Sequence, residues 1–117
     1  MSHSIAPHEL GETATEYGDT PFLLYAHDNG SVRANHVHAQ TAIGEDVVRV
    51  SGFGRGVLAA TEAGKVLSLL WQPVSATGFS LIADGLGAVI DDDTLEITIS
   101  SAVLHRPAPV DGASTSC

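Results

Sequence analysis

The sequence predicts a mainly β protein: a six-stranded antiparallel β-barrel with one or two short helices. Three observations carry this. Short runs rich in Val, Leu, Ile and Phe recur along the chain, and the clearest of them alternates apolar with polar residues. Hairpin signals separate several of the runs: Asn29-Gly30, Gly44-Glu45-Asp46 and Asp91-Asp92-Asp93. Six strands joined mostly by hairpins would leave two sticky edges, and closing the sheet into a barrel removes them.

The elements follow in order. Residues 1–18 are polar, with spaced acids, and read as an N-terminal extension in which 8–17 can form a short helix. Residues 20–27 alternate and form the first strand. Asn29-Gly30 then supplies the positive φ that a type I′ turn needs at both central positions, and 32–41 returns as the second strand. Val47 to Ser51 is a β-branched third strand. The run Gly52-Phe53-Gly54-Arg55-Gly56 breaks the pattern and leads into a helix over 57–63, which Gly64 ends as a natural C′ residue. Residues 65–71 are a buried strand stopped by Pro73. Residues 79–90 are a long strand in which Gly85 and Gly87 predict a bulge or bend. Residues 94–100 put Leu95, Ile97 and Ile99 on one face and Thr94, Glu96, Thr98 and Ser100 on the other. The organisation is therefore an extension over 1–18, a barrel domain over 19–108 and a loose C-terminal tail over 109–117.

At 117 residues the chain has room for a single core. A formal net charge of −9 argues against nucleic acid and against an anionic membrane, because both partners need a basic face. No apolar run approaches the roughly 18 residues of a membrane span, and the first twenty residues, lacking Lys and Arg, show no signal peptide. The single Cys, at position 117, rules out an internal disulfide framework, so a reducing cytoplasm is the expected location. Charge is uneven along the chain. Residues 1–32 hold five acids and no fixed cation, whereas 33–55 hold Arg33, Arg49 and Arg55 against only Glu45 and Asp46.

That window also holds the candidate chemistry. The glycine run has G-x-G-x-G spacing rather than the G-x-G-x-x-G of a dinucleotide fingerprint, and the chain is too short for a doubly wound sheet. Its backbone amides could still approach a phosphate at a helix N-terminus, with Arg55 as a bidentate donor. On the second strand, Arg33 and Asn35 point one way, suited to a phosphate or a polar ring edge. His36 and His38 point the other way in an H-x-H pattern that a metal could use, although no third ligand stands at cupin-like spacing; no metal is expected. Asp91-Asp92-Asp93 lacks EF-hand spacing and reads as a solvated turn. No Gly-x-Ser-x-Gly elbow is present, so the catalytic residues stay unassigned.

Taken in order, several segments resemble the pyridoxamine 5′-phosphate oxidase-like family of FMN-binding split β-barrels. They are Asp19-Thr20-Pro21-Phe22 with the Asn29-Gly30 hairpin and Arg33, then 48–55 (VRVSGFGR), 66–71 (VLSLLW), 79–85 (FSLIADG) and 102–107 (AVLHRP). The last of these is similar to small actinobacterial-type members. The resemblance spans about residues 19–108 and implies a cytoplasmic homodimer with flavin at the subunit interface. It implies that Arg33 and Arg55 hold the FMN phosphate and that the ring lies along Val50, Ser51 and Gly52. The chain departs from the full oxidases in having His38 in place of a second-strand Lys and Arg55-Gly56 in place of an Arg-Lys pair before the helix. It also lacks a clear counterpart of the region that grips pyridoxamine phosphate. The implied activity is thus flavin-dependent oxidoreduction of a small organic substrate that the sequence does not name. Relatives also bind a deazaflavin or haem, so two alternatives stay open. One is a non-enzymatic flavin- or deazaflavin-binding protein, and the other is a dimeric paralogue with no cofactor.

Overall fold

The computed structural model describes residues 2–75 and 78–106, so the tail expected over 109–117 lies outside the described residues. The chain is mainly β. Its strands are β1 (Ser2–Ile5), β2 (Phe22–Ala26), β3 (Val32–His36), β4 (His38–Thr41), β5 (Val47–Ser51), β6 (Leu67–Trp71), β7 (Ser80–Asp91) and β8 (Thr94–His105). A 3₁₀ turn over Pro7–Glu9 runs into α1 (Leu10–Ala14), and α2 (Arg55–Glu62) follows the glycine run.

All pairings are antiparallel, in the order β3-β2-β6-β7-β8-β5-β4. β7 accompanies β8 along its length, while the other edge of β8 is shared between β5 at its start and β1 at its end. β3 and β4 stand at opposite ends of this order, yet one residue, Val37, joins them in the chain. The sheet must therefore curl. Two hydrogen bonds draw the ends together: Val37 N–H donates to the Pro21 carbonyl (3.0 Å) and Ala39 N–H to the Asp19 carbonyl (2.8 Å). The result is a half-barrel consistent with a split β-barrel.

The period-2 pattern explains what fills it. Leu23, Leu67, Leu69, Leu81, Leu95 and Ile97 face inward and are fully buried, each such side chain contributing about 1.5–3 kcal/mol through area removed from water. Trp71 closes one end, its indole N–H donating to the Gly18 carbonyl at 3.1 Å. Leu10 and Ala14 of α1 join the same core, and Val57 and Ala60 of α2 complete it.

Two differences from the sequence reading have physical causes. Among the described residues the count is eight strands rather than six, because 32–41 breaks at Val37 and because β1 pairs with β8. Ser2-His3-Ser4-Ile5 has no apolar alternation, so only its partner strand reveals it. The last strand also runs on to His105. A bulge at Ser100 shifts the register there: Asp84 faces Ser101 while Gly85 faces Ile99. Gly85 itself lies against the Thr98 carbonyl, where a Cβ would collide. The expectation of a bulge near Gly85 is met.

Candidate functional site

The glycine run resolves into separate requirements. Gly52 ends β5 with φ of 78°, in the left-handed region that turns the chain out of the sheet. Phe53 packs against the core, and Gly54 is the extended N-cap of α2. Gly56 lies in the first turn of α2 directly beneath the Tyr25 hydroxyl, where any Cβ would collide. Among the described residues no side chain caps α2. The amides of its first turn therefore lack the oxygen that Ser, Thr, Asp or Asn would supply, and its positive end is open to an anion.

Arg55 is the first residue of α2, exposed, and without a hydrogen-bond or ion-pair partner among the described residues. Arg33 lies opposite Tyr25 in the β2–β3 pairing, so both side chains leave the same face of the sheet. Its guanidinium donates to the Ser31 hydroxyl at 2.7 Å and meets no carboxylate among the described residues. Tyr25 thus links the two arginines, being the cross-strand neighbour of one and packing on the residue after the other. Asn35 lies two positions further along β3, opposite Leu23, on that same face. No direct contact joins Arg33 to Arg55.

The other two described cations in this part of the fold are already paired. Arg49 lies 3.5 Å from Glu96, its cross-strand neighbour. Lys65 bonds the Ala26 carbonyl (3.1 Å) and Asp28 (3.0 Å), tying the β2–β3 hairpin to the end of α2. The Lys65 hydrogen bond and charge hold the Asp28 carboxyl below the usual carboxylate range. A cleft of about 180 Å³ opens between this tie and α2, lined by Tyr25, Gly56 and Ala60 among others.

Val50 and Ser51 stand differently. β5 is paired on both edges through Ser51, with His38 on one side and Thr94 on the other, so its backbone polar groups lie within ladders. The Val50 side chain is fully buried. Gly52 is the first residue beyond those ladders. On the outer face, Ser51 lines an open groove of about 320 Å³ with His38, Arg49, Asp91 and Thr94. Hydrogen bonds from Asp93 hold the Asp91 carboxyl below its ordinary value.

The H-x-H pair is divided by the bend at Val37. His36 ends β3 and stacks on Phe22 with ring centroids 3.9 Å apart. His38 begins β4, and its Nε2 lies 3.7 Å from Asp19. Among the described residues no three His, Cys, Asp or Glu side chains gather as a metal site. The feature that sequence reasoning missed is Tyr25. Its role depends on the packing of α2 against β2, and the only signal was Gly56 standing where a helix favours Ala.

The fold defines a class, the antiparallel split half-barrel with one helix entering at the end of its β5 strand. A scan of protein-family models, a search of the curated proteins and a search of the solved structures each found no match to this chain. No helix among the described residues is long and apolar enough to cross a membrane.

Proposed function

We propose that this chain is an FMN-binding split-barrel protein that acts, as a homodimer, in flavin-dependent oxidoreduction of a small organic substrate. One observation carries the reading: among the described residues the uncapped N-terminus of α2 bears Arg55 without a partner, and Tyr25 connects it to Arg33, which also lacks a carboxylate there. Dianionic phosphate suits that set, because helix amides and guanidinium groups both donate and neither can accept.

The residues present fit the phosphate better than the ring. Arg55 and the amides of α2 would hold the phosphate, Arg33 would neutralise its second charge, and Asn35 would offer an amide to a polar edge. Gly52, rather than Val50 or Ser51, has backbone groups beyond the ladders, and the Ser51 hydroxyl faces the outer groove. Bound FMN would supply the redox chemistry as hydride or electron acceptor, and the protein would orient it and exclude water. The clefts named above are open, so a second subunit would complete the wall. Titrating the purified protein with FMN, followed by flavin fluorescence, tests the reading; Arg55→Ala should weaken binding and Arg49→Ala should not.

The openness of the same clefts favours a second reading, a barrel that carries flavin or a deazaflavin without turnover. Steady-state oxidation of reduced nicotinamide with flavin bound separates the two.

A further inference from the structure

The tip of the β2–β3 hairpin holds the pair Asn29-Gly30. The turn is not the two-residue form that Asn-Gly favours. Gly30 alone has a positive φ, 88°, and the Asn29 φ is negative. Two backbone bonds close the loop: His27 N–H donates to the Ser31 carbonyl (2.7 Å) and Gly30 N–H to the His27 carbonyl (2.9 Å). The Asn29 side chain folds back over the following peptide. Its Oδ1 accepts from the Ser31 N–H (2.9 Å) and from the Ser31 hydroxyl. The ring closed by the first of these bonds contains both the Asn29 Cγ and the Gly30 nitrogen, so the two are held near each other. Asn29 and Gly30 are exposed to water, and open space surrounds the place a Gly30 Cβ would take.

We infer that Asn29 is a deamidation site, and that the carboxylate formed there is a counter-charge for Arg33. The step needs only water. The Gly30 nitrogen forms a bond to the Asn29 Cγ, and the bond from Cγ to the side-chain nitrogen breaks. That nitrogen leaves as ammonia with the Gly30 proton. Water then opens the five-membered imide to an aspartyl or isoaspartyl residue at position 29, whose acid group ionises. Charge develops on Oδ1 as Gly30 attacks, and the two Ser31 donors already point at that atom. Glycine as the attacking residue has no Cβ to obstruct the approach. The His27 carbonyl holds the Gly30 proton, so attack follows the opening of that one bond at the tip of the turn. Asn35, the only other asparagine, lies within β3 and precedes a histidine, and pairing with Leu23 of β2 fixes its backbone.

The new charge lands in a defined place. A hydrogen-bonded chain runs from Asn29 through the Ser31 hydroxyl to the Arg33 guanidinium. Lys65, the other fixed cation at this hairpin, already holds Asp28. A carboxylate at position 29 therefore has Arg33 as its partner. Arg33 is one of the two arginines of the proposed phosphate site, and it otherwise meets no carboxylate among the described residues. Conversion gives it one, as Glu96 already does for Arg49. The inference deepens the proposed function by naming a regulation of its site. The chemistry at Asn29 stands without that function, and only the loss of affinity rests on it.

The test is incubation of the purified wild type in warm, mildly alkaline buffer, followed by peptide mapping with mass spectrometry. Far-UV circular dichroism checks folding, and the same incubation in denaturant gives the rate of the unstructured chain. The peptide containing Asn29 should gain the mass of an amide-to-acid exchange and accept isoaspartyl-specific carboxyl methylation, while the peptide containing Asn35 keeps its amide. Ser31→Ala should slow conversion severalfold in the folded protein and leave the rate in denaturant unchanged. A folded wild type that keeps the Asn29 amide while the denatured chain loses it, or a folded Ser31→Ala variant that converts as fast as the wild type, overturns the inference. For the coupling to Arg33, Asn29→Asp should bind FMN roughly two- to fivefold more weakly than the wild type, the size of an exposed ion pair. The same change should cost nothing in an Arg33→Ala background. Equal affinity of Asn29→Asp and the wild type overturns the coupling. A wild type that binds no FMN yet loses ammonia at Asn29 defeats the functional reading and leaves the modification standing; one that binds FMN and keeps its Asn29 amide does the reverse.

Discussion

A Cβ on Gly56 would run into the Tyr25 hydroxyl, so any side chain there must push the end of the Tyr25 ring away from the first turn of α2. Gly56 directly follows Arg55, and Tyr25 is the cross-strand neighbour of Arg33.

Gly56→Ala should therefore destabilise the fold, although alanine is normally the better helix former by about 1 kcal/mol. The overpacking cost should win, for a net loss of about 1–3 kcal/mol in chemical denaturation. In a Tyr25→Leu background the same change should cost less, since the colliding group is gone. Additive losses from the two substitutions would show that the contact does not set the packing.

The Lys65–Asp28 tie gives an acid-side dependence. The folded-state pKa of Asp28 is depressed, so its contribution is present above the ordinary carboxylate pKa and fades as pH falls through the lower folded value. Asp28 is fully exposed, so the effect should be small. Asp28→Asn should lower Tm slightly at pH 7, and the gap to wild type should close below about pH 4. A gap of equal size at pH 7 and pH 3 would mean that the charge is irrelevant.

Arg55→Ala should weaken FMN binding by roughly 1.5–3 kcal/mol, the size of one charge-assisted hydrogen bond, and added salt should reduce the wild-type affinity toward it. Arg49→Ala, which breaks a pair with Glu96 exposed to solvent, should leave affinity unchanged. Comparable losses from both variants would indicate general electrostatic attraction rather than a site.

Much of this fold was legible because its strands obey one short-range rule. Val47–Ser51 has the bounds that its β-branched residues predict, and Leu95, Ile97 and Ile99 point inward as their alternation requires. The missed features depend on distant partners. β1 is a strand only because β8 outruns β5, and the break at Val37 exists because the Pro21 and Asp19 carbonyls pull a continuous run into two. At the candidate site, the local chain predicted a helix entered by glycines and an arginine on a strand. It could not show that Tyr25 stands between them, because that contact closes across more than thirty residues of sequence. Nor could it show that Arg49, the middle cation of the window, is taken by Glu96.

FMN binding is tested most directly by titrating FMN with purified wild-type protein, read as flavin fluorescence and visible absorbance beside Arg33→Ala and Arg55→Ala. The wild type should show saturable quenching with a perturbed flavin spectrum, and each variant a markedly weaker response. A wild-type protein that leaves free FMN fluorescence and absorbance unchanged would contradict FMN binding.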